Sequence, residues 1–316
     1  MIEGLEGTNF SWLGDKYEGK VRDVYNCGRG EVVLISTDRQ SAFDKSWGVI
    51  PLKGQVLTQI SAWWFEKVAD VVNHHVIANP DPNVLVVNKL DMLPVEVVVR
   101  SYLTGSTQTS IWVNYEKGER KFGGITLPDG MKKNDPLPTA LITPTTKSGE
   151  DVPITGEEIV RSGLVSKGLW EEVTETALRL FRRGQEIAAQ NNLILVDTKY
   201  EFGLDNNGRL TVGDEVHTPD SSRFWVADTL EKRTSAGLPP ESLDKEFFRG
   251  WLIQQGFVPS DPSSGAQPVI TPEVQTMLSQ KYIDLYQRVT RQKFVVEAGV
   301  SSVAARIERN LRAYFG

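Results

Sequence analysis

Apolar residues recur along the chain at two spacings, and the change from one to the other lays out the elements. The runs Glu31–Ser36, Val84–Lys89 and Val95–Ser101 are short, rich in valine and bounded by polar residues, which predicts buried strands. Ahead of them, Lys16–Tyr25 alternates through a tight turn at Gly19. This predicts a hairpin with Lys20, Arg22 and Val24 on one face. Leu90–Pro94 reads as a connector between two strands and as a hinge, with Glu96 and Arg100 on one face of the strand that follows. Apolar residues three and four apart predict helices over Gly54–Val68 (Val56, Ile60, Trp63, Trp64, Val68) and Glu171–Asn191 (Val173, Ala177, Leu180, Phe181, Ile187, Ala188). Leu243–Gln255, Pro272–Thr290 and Val303–Ala313 read as further helices. Thr155 and Glu158 fit a capping box, and Thr271-Pro272 fits an N-cap with the first helical residue. Lys121–Pro153 has little periodicity, and a stretch of that length is usually functional or mobile.

Leu193–Trp225 carries the densest chemistry. Two strand-like runs flank Asn207-Gly208, a strong signal for a two-residue hairpin turn. Such a turn puts Asn206 across from Arg209 and Glu201 across from Asp214. Like charges facing each other on a ladder destabilise it, and a bound cation removes that penalty. Oxygen donors alone suit Mg²⁺ held by one or two carboxylates and substrate phosphates. Asp197, Lys199 and Glu201 share a face by alternation. The plain alternative is a solvated, charged hairpin. Against it, Leu193–Val196 leads the strand into the interior and places its polar end at a core edge.

Composition narrows the partners. A net charge of −6 argues against a general nucleic-acid or membrane-surface binder and leaves small anionic substrates held by local basic clusters. The single cysteine, Cys27, allows neither an intrachain disulfide nor a thiolate metal cluster. Residues 1–20 lack an apolar signal core and no run approaches membrane-spanning length, so a cytoplasmic location is expected. There is no P-loop, and Gly28-Arg29-Gly30 reads as a turn. His74-His75 lacks the frame of a metal-binding helix. Two polar groups stand out as phosphate holders: Arg100 with Gly105-Ser106-Thr107, and Thr218–Arg223. Thr37–Asp44 is a polar stretch following a strand, where function often sits.

Several of these segments, taken in order, resemble the SAICAR synthetase (phosphoribosylaminoimidazole-succinocarboxamide synthase) family. They are Gly19–Tyr25, Ser36–Asp44, Val97–Arg100 with Gly105-Ser106, Asp197–Gly203, and Gly213–Glu215 with Thr218–Trp225. The resemblance runs from about residue 10 across nearly the whole chain. It implies an α+β, two-lobe fold: a small β-rich ATP-binding lobe of the kinase and ATP-grasp kind (1–98) and a larger α+β substrate and metal lobe with C-terminal helices (99–316). It implies an ATP-dependent carbon–nitrogen ligase of de novo purine biosynthesis. That enzyme joins L-aspartate to the carboxylate of carboxyaminoimidazole ribonucleotide (CAIR), giving SAICAR, ADP and phosphate.

The implied roles fall on residues already singled out. Gly19, Lys20 and Arg22 cover the ATP phosphates, Val24 lies against adenine, and Leu90 and Met92 line the adenine slot. Glu201 and Asp214 hold Mg²⁺, and Lys199 sits at the transferring phosphate. Arg100, Ser106 and Arg223 take the ribonucleotide 5′-phosphate, and Asp44 touches the imidazole ribonucleotide. Asp38, Arg39, Ser41 and the Thr145–Lys147 loop, with Lys147 its cation, are the candidates for the aspartate pocket, and Asp38 is also a candidate base. His217 is given no role. Phosphoryl transfer to the carboxylate makes an acyl phosphate that an amine can attack, and it needs alignment and charge neutralisation. A small-molecule kinase and a non-catalytic nucleotide-binding regulator are the competing readings, and monomer and homo-oligomer both remain open.

Overall fold

The computed structural model describes residues 4–147, 152–261, 263, 265–296 and 302–316, and in it two sheets are joined through the connector Lys89-Leu90. The first sheet has five strands in the order Asp15–Glu18, Arg22–Asn26, Glu31–Ser36, Val84–Asn88, Val76–Asp81, all antiparallel. Its alternating residues feed two cores. Tyr25, Val33, Ile35, Val84 and Val86 pack with Leu5, Phe10 and Leu13 and with Ile307 and Leu311 of the C-terminal helix Val303–Phe315. That helix is fixed by a buried pair, Arg306 donating to both oxygens of Asp81 at 2.9 and 3.0 Å. On the opposite face, Leu85 and Val87 join the main core with Val56, Leu57 and Ile60 of the helix Lys53–Val68.

The second sheet runs Pro136–Ile142, Asp91–Tyr102, Leu193–Leu204, Leu210–Gly213, Asn73–His74, with Thr145–Thr146 added beside Asp91–Tyr102 and Ser222–Val226 beside Leu193–Leu204. The chain enters this sheet at Asp91 and the strand continues unbroken to Tyr102, so the connector is shorter than the expected Leu90–Pro94 and position 98 lies mid-strand. Leu93, Val95, Val97 and Val99 face the helix Lys167–Gln190, whose apolar stripe of Val173, Ala177, Leu180 and Phe181 covers that side. Glu96, Val98 and Arg100 necessarily point the other way, and that second face carries the chemistry.

The central hairpin differs from its expected form. Gly203 pairs with Thr211 and Leu204 with Leu210, so Glu201 lies across from Gly213, not Asp214. The cause is the turn. Asp205 accepts from the amides of Asn207 and Arg209 at 2.8 and 2.9 Å, and its own carbonyl accepts from Gly208, which sits at φ +73°. The result is a three-residue loop closed by a left-handed glycine. One extra loop residue moves the register by one and turns every side chain of the second strand over.

Other expectations stand with small changes of boundary. The capping box at Thr155 and Glu158 and the Thr271 cap with Pro272 in the first turn are both formed. The aperiodic stretch Lys121–Pro153 contains the strand Pro136–Ile142, and its residues 148–151 lie outside the described residues. Thr37–Asp44 contains a strand, Arg39–Ala42, paired with Lys45–Val49.

Candidate active site

The open face of the second sheet presents two charged rows across its strands. In one row Thr145, Glu96 and Glu201 are directly paired neighbours. In the other, Arg100 pairs with Asp197, which pairs on its far side with Arg223. Lys199 lies between the rows, opposite Val98. Four residues of strand separate the rows, about 13 Å at the usual rise. The expectation that Asp197, Lys199 and Glu201 share a face is thereby met.

Around Glu201 the charges interlock. Lys147 donates to its carboxylate, and the Lys199 ammonium lies 3.3 Å from its other oxygen. Lys199 also donates to Glu96, whose second oxygen accepts from the Thr145 hydroxyl at 2.9 Å. The opposed like charges that the sequence suggested do exist, but the pair is Glu96 and Glu201, and Lys199 neutralises it. Asp214 arrives by another route. It follows the strand end in a left-handed conformation (φ +55°) and accepts from Arg22 of the first sheet. Arg22 also pairs with Glu215 at 2.7 Å.

The electrostatics follow from burial and these pairings. Burial alone would lower the Lys199 ammonium, but Glu201, Glu96 and Asp214 outweigh it and hold it well above the usual lysine range. Burial pushes the Asp214 carboxyl up, and Arg22 and Lys199 more than offset that, leaving it below its ordinary value. Glu215 stays above its ordinary value, raised chiefly by burial.

Glu201 and Asp214 belong to one charge cluster through Arg22 and Lys199, and their hard oxygen donors are of the kind that suits a divalent cation such as Mg²⁺. No group of three or more Asp, Glu, His or Cys able to hold a metal occurs among the described residues. A metal here would therefore complete its shell with phosphate oxygens and water.

Of the residues expected at the nucleotide, Leu90 and Met92 lie beside the hairpin that carries Glu201. Leu90 lies over Gly203 and Gly213, where added Cβ atoms would come within 2.9 and 3.2 Å of its side chain. Met92 is paired with Gly203, and Val24 with Leu34. Lys20, on the Gly19 turn, is exposed and ion-paired with Asp44 at 2.7 Å. The two residues expected on different substrates thus stand together at the surface.

The phosphate cluster is also assembled. Arg100 Nε donates to Thr143 at 2.9 Å, and Arg223 donates to Asp197 and lies 3.5 Å from Glu246. Ser106 donates to the same Glu246. Gly105 adopts φ +117° against Ser110, where a Cβ would sit 2.4 Å from that side chain, so the loop reaches Arg223 only as glycine. Burial brings Arg100 down to about 10, with Asp197 opposing and Arg223 adding to the shift.

Three of the candidate residues have partners that the sequence did not suggest. Asp38 is buried away from both rows, its oxygens accepting from the amides of Leu5 and Gly54 at 2.7 Å each. Burial raises it to about 6, but with both oxygens occupied it braces the backbone and is in no position to act as a base. Arg39 donates to the carbonyls of Glu6 and Gly19 and to Asp23, so it braces the Gly19 turn. Lys147 joins Glu201 at the carboxylate row.

Ser41 meets a cluster that sequence reasoning missed. It accepts from Lys245 at 3.3 Å; Lys53, fully buried, donates to Asp220 at 2.8 Å, and Lys245 lies 3.8 Å from the same carboxylate. Asp220 belongs to a quoted motif, but Lys53 and Lys245 sit in helices with no local signal. Glu96 and Glu215 were likewise overlooked as site residues, although alternation had already placed Glu96 beside Arg100. His217 is a packed core residue: its ring bonds to the Tyr200 hydroxyl and lies edge-on to Trp64 at 4.6 Å.

Known proteins resemble this chain in sequence and fold. The sequence model of the SAICAR synthetase family matches residues 15–259. A protein of Agrobacterium fabrum named putative phosphoribosylaminoimidazole-succinocarboxamide synthase 2 is 49% identical, over 96% of this chain and 96% of its own length. The phosphoribosylaminoimidazole-succinocarboxamide synthase of Legionella pneumophila (strain Lens) is 46% identical over the same shares. Among solved structures, the SAICAR synthase of Saccharomyces cerevisiae complexed with SAICAR superposes with a TM-score of 0.76 at 30% identity, covering 92% of this chain and all of that one. A type-2 SAICAR synthetase in complex with ADP superposes with a TM-score of 0.68 at 26% identity, covering 89% and 100%. With the family model spanning most of the chain and relatives of nearly half identity along its length, this chain belongs to the SAICAR synthetase family.

Proposed function

We propose that this chain, an ATP-dependent carbon–nitrogen ligase of purine biosynthesis, uses the two charged rows of one sheet face as the two ends of its reaction site. The observation that carries this reading is the placement of Lys199 between a carboxylate row and an arginine row. ATP would lie at the carboxylate end, under Lys20 and Arg22 and against Val24, Leu90 and Met92. CAIR would lie with its 5′-phosphate on Arg100, Ser106 and Arg223 and its carboxylate toward Lys199. Glu201 and Asp214 would hold Mg²⁺, which when bound neutralises the phosphate oxygens. A resting carboxylate has no usable leaving group, so transfer of the γ-phosphoryl to it gives an acyl phosphate that the amine of L-aspartate can attack. Lys199 neutralises charge at the transferring group, and Arg22 does so at the nucleotide phosphates. With Asp38 braced elsewhere, the released phosphate is the base we favour for the amine.

The division of labour into a nucleotide lobe and a substrate lobe belongs to this proposal. The join is placed at Lys89-Leu90, where the chain passes between sheets, in preference to position 98. A cytoplasmic location is likewise part of it; no described helix is long and apolar enough to cross a membrane.

The test is ADP release by the purified protein with Mg²⁺-ATP and CAIR, with and without L-aspartate. ADP only when both co-substrates are present, with the succinocarboxamide product by mass, supports the ligase. ADP release that needs no aspartate and leaves a stable phosphorylated product would overturn it in favour of a kinase.

A further inference from the structure

Glu96 is nearly fully buried, at 7% exposure, in a strand whose neighbours are Val95, Val97, Val98 and Val99. A valine there would suit the strand better. The carboxylate also faces Glu201 directly across the ladder, a destabilising arrangement. Both of its oxygens are used, one by the Lys199 ammonium and one by the Thr145 hydroxyl at 2.9 Å. Glu96 thus ties the lysine between the two rows to the short strand Thr145–Thr146, which delivers Lys147 to Glu201.

We propose that Glu96 is a positioning residue that fixes the Lys199 ammonium in line with the transferring phosphoryl group. The inference rests on the role given to Lys199 above. Lys199 has two carboxylate partners, and Glu201 is the one with a second use, as a donor to a metal. When Glu201 turns to that use, a lysine held by Glu201 alone would be drawn away or left to wander. Glu96, anchored from its far side by Thr145, keeps the ammonium in place. It touches neither nucleotide nor ribonucleotide and acts only through Lys199.

The test is a double-mutant cycle on the full chain, with Glu96→Gln, Lys199→Met and the two combined. Glu96→Gln should lower kcat by about tenfold while leaving the KM for ATP and for CAIR within about twofold, because the loss is of alignment and not of binding. ADP affinity measured by calorimetry should also stay within about twofold. In the Lys199→Met background, Glu96→Gln should cost nothing further, since the group it positions is gone. Glu96→Asp, which keeps the charge, should recover part of the lost kcat.

A Glu96→Gln enzyme with wild-type kcat overturns the proposal. So do losses that multiply in the double variant, which would mean a merely structural role. If Lys199→Met alone retains full turnover, the role of Lys199 is wrong and the proposal falls with it. A crippled Lys199→Met beside a normal Glu96→Gln sinks only the inference about Glu96.

Discussion

Replacing Asp214 by asparagine separates metal holding from framework. Asp214 sits at φ +55°, a conformation asparagine tolerates as well as aspartate, so the backbone gains no strain. Arg22 keeps Glu215 at 2.7 Å, so the buried guanidinium is not orphaned. The Asp214 side chain is about a third exposed, 31%, and the stability loss should be no more than about 1 kcal/mol. Catalysis should suffer far more. Removing one strong electrostatic stabiliser of a developing charge typically costs 10²–10³ in turnover, about 2.7–4 kcal/mol. The Mg²⁺ concentration for half-maximal rate should also rise, by about tenfold or more. That is a modest share of the ~4 kcal/mol between unit charges 4 Å apart at an effective dielectric of 20. The assay is ADP release with saturating ATP, CAIR and aspartate over a Mg²⁺ titration, beside a thermal melt. Turnover within about threefold of wild type with an unchanged Mg²⁺ dependence would refute the assignment.

Arg223→Ala should raise the KM for CAIR by roughly tenfold or more and leave that for ATP nearly unchanged, because its partners are Asp197 and Glu246 at the arginine end; a rise confined to the ATP KM would reverse the two ends. His217 and His75 are buried and each is lowered to about 3, by burial in both cases, so the unfolded chain takes up protons below its ordinary value near 6.5 while the native chain does not. Stability should thus be unaffected by these groups above about pH 6.5 and fall by up to ~1.4 kcal/mol per pH unit per histidine below it, and chemical denaturation from pH 7 to 5 should find a shallower slope in His217→Gln. ADP should bind at least about tenfold more tightly with Mg²⁺ than with chelator present, and equal affinities by calorimetry would break the link between Glu201, Asp214 and the nucleotide.

What the sequence made legible was set by local rules. Alternation alone placed Asp197, Lys199 and Glu201 on one face, and Glu96 and Arg100 on one face of the next strand, because the period of a strand is fixed by its geometry. The helix starts at Thr155 and Thr271 were readable because a cap is a bond between neighbours. The hairpin register was not. Asn207-Gly208 reads as a two-residue turn unless Asp205 is seen to cap two amides from outside it, and that choice moves Asp214 off the ladder. The partners of Asp38 were not legible because the amides that occupy it belong to Leu5 and Gly54, 33 and 16 residues away. The contact of Arg22 with Asp214 spans 192 residues and leaves no trace in either segment. Family resemblance implied a role at ATP for Arg22 and at Mg²⁺ for Asp214, but not their contact, which only the folded chain shows.

The two rows are also close to electrically balanced as they stand. Lys147 and Lys199 answer Glu201 and Glu96, Arg22 stands between Asp214 and Glu215, and Arg100, Arg223 and Arg249 face Asp197 and Glu246, so six cations meet six carboxylates. A metal ion arriving alone would take Glu201 from Lys147 and leave Arg22 with Glu215 only, so the Lys147 ammonium loses that carboxylate. A phosphate arriving alone would take cations and leave carboxylates facing one another. Either event carries the penalty of an uncompensated charge in a partly desolvated site. Arriving together, the metal takes the carboxylates and the phosphates take the freed cations, and every charge keeps a partner. A balanced site of this kind favours the metal–nucleotide complex over either component. On the proposed reading the same logic would hold at the other row, where a 5′-phosphate would compete with Asp197 and Glu246 for Arg223.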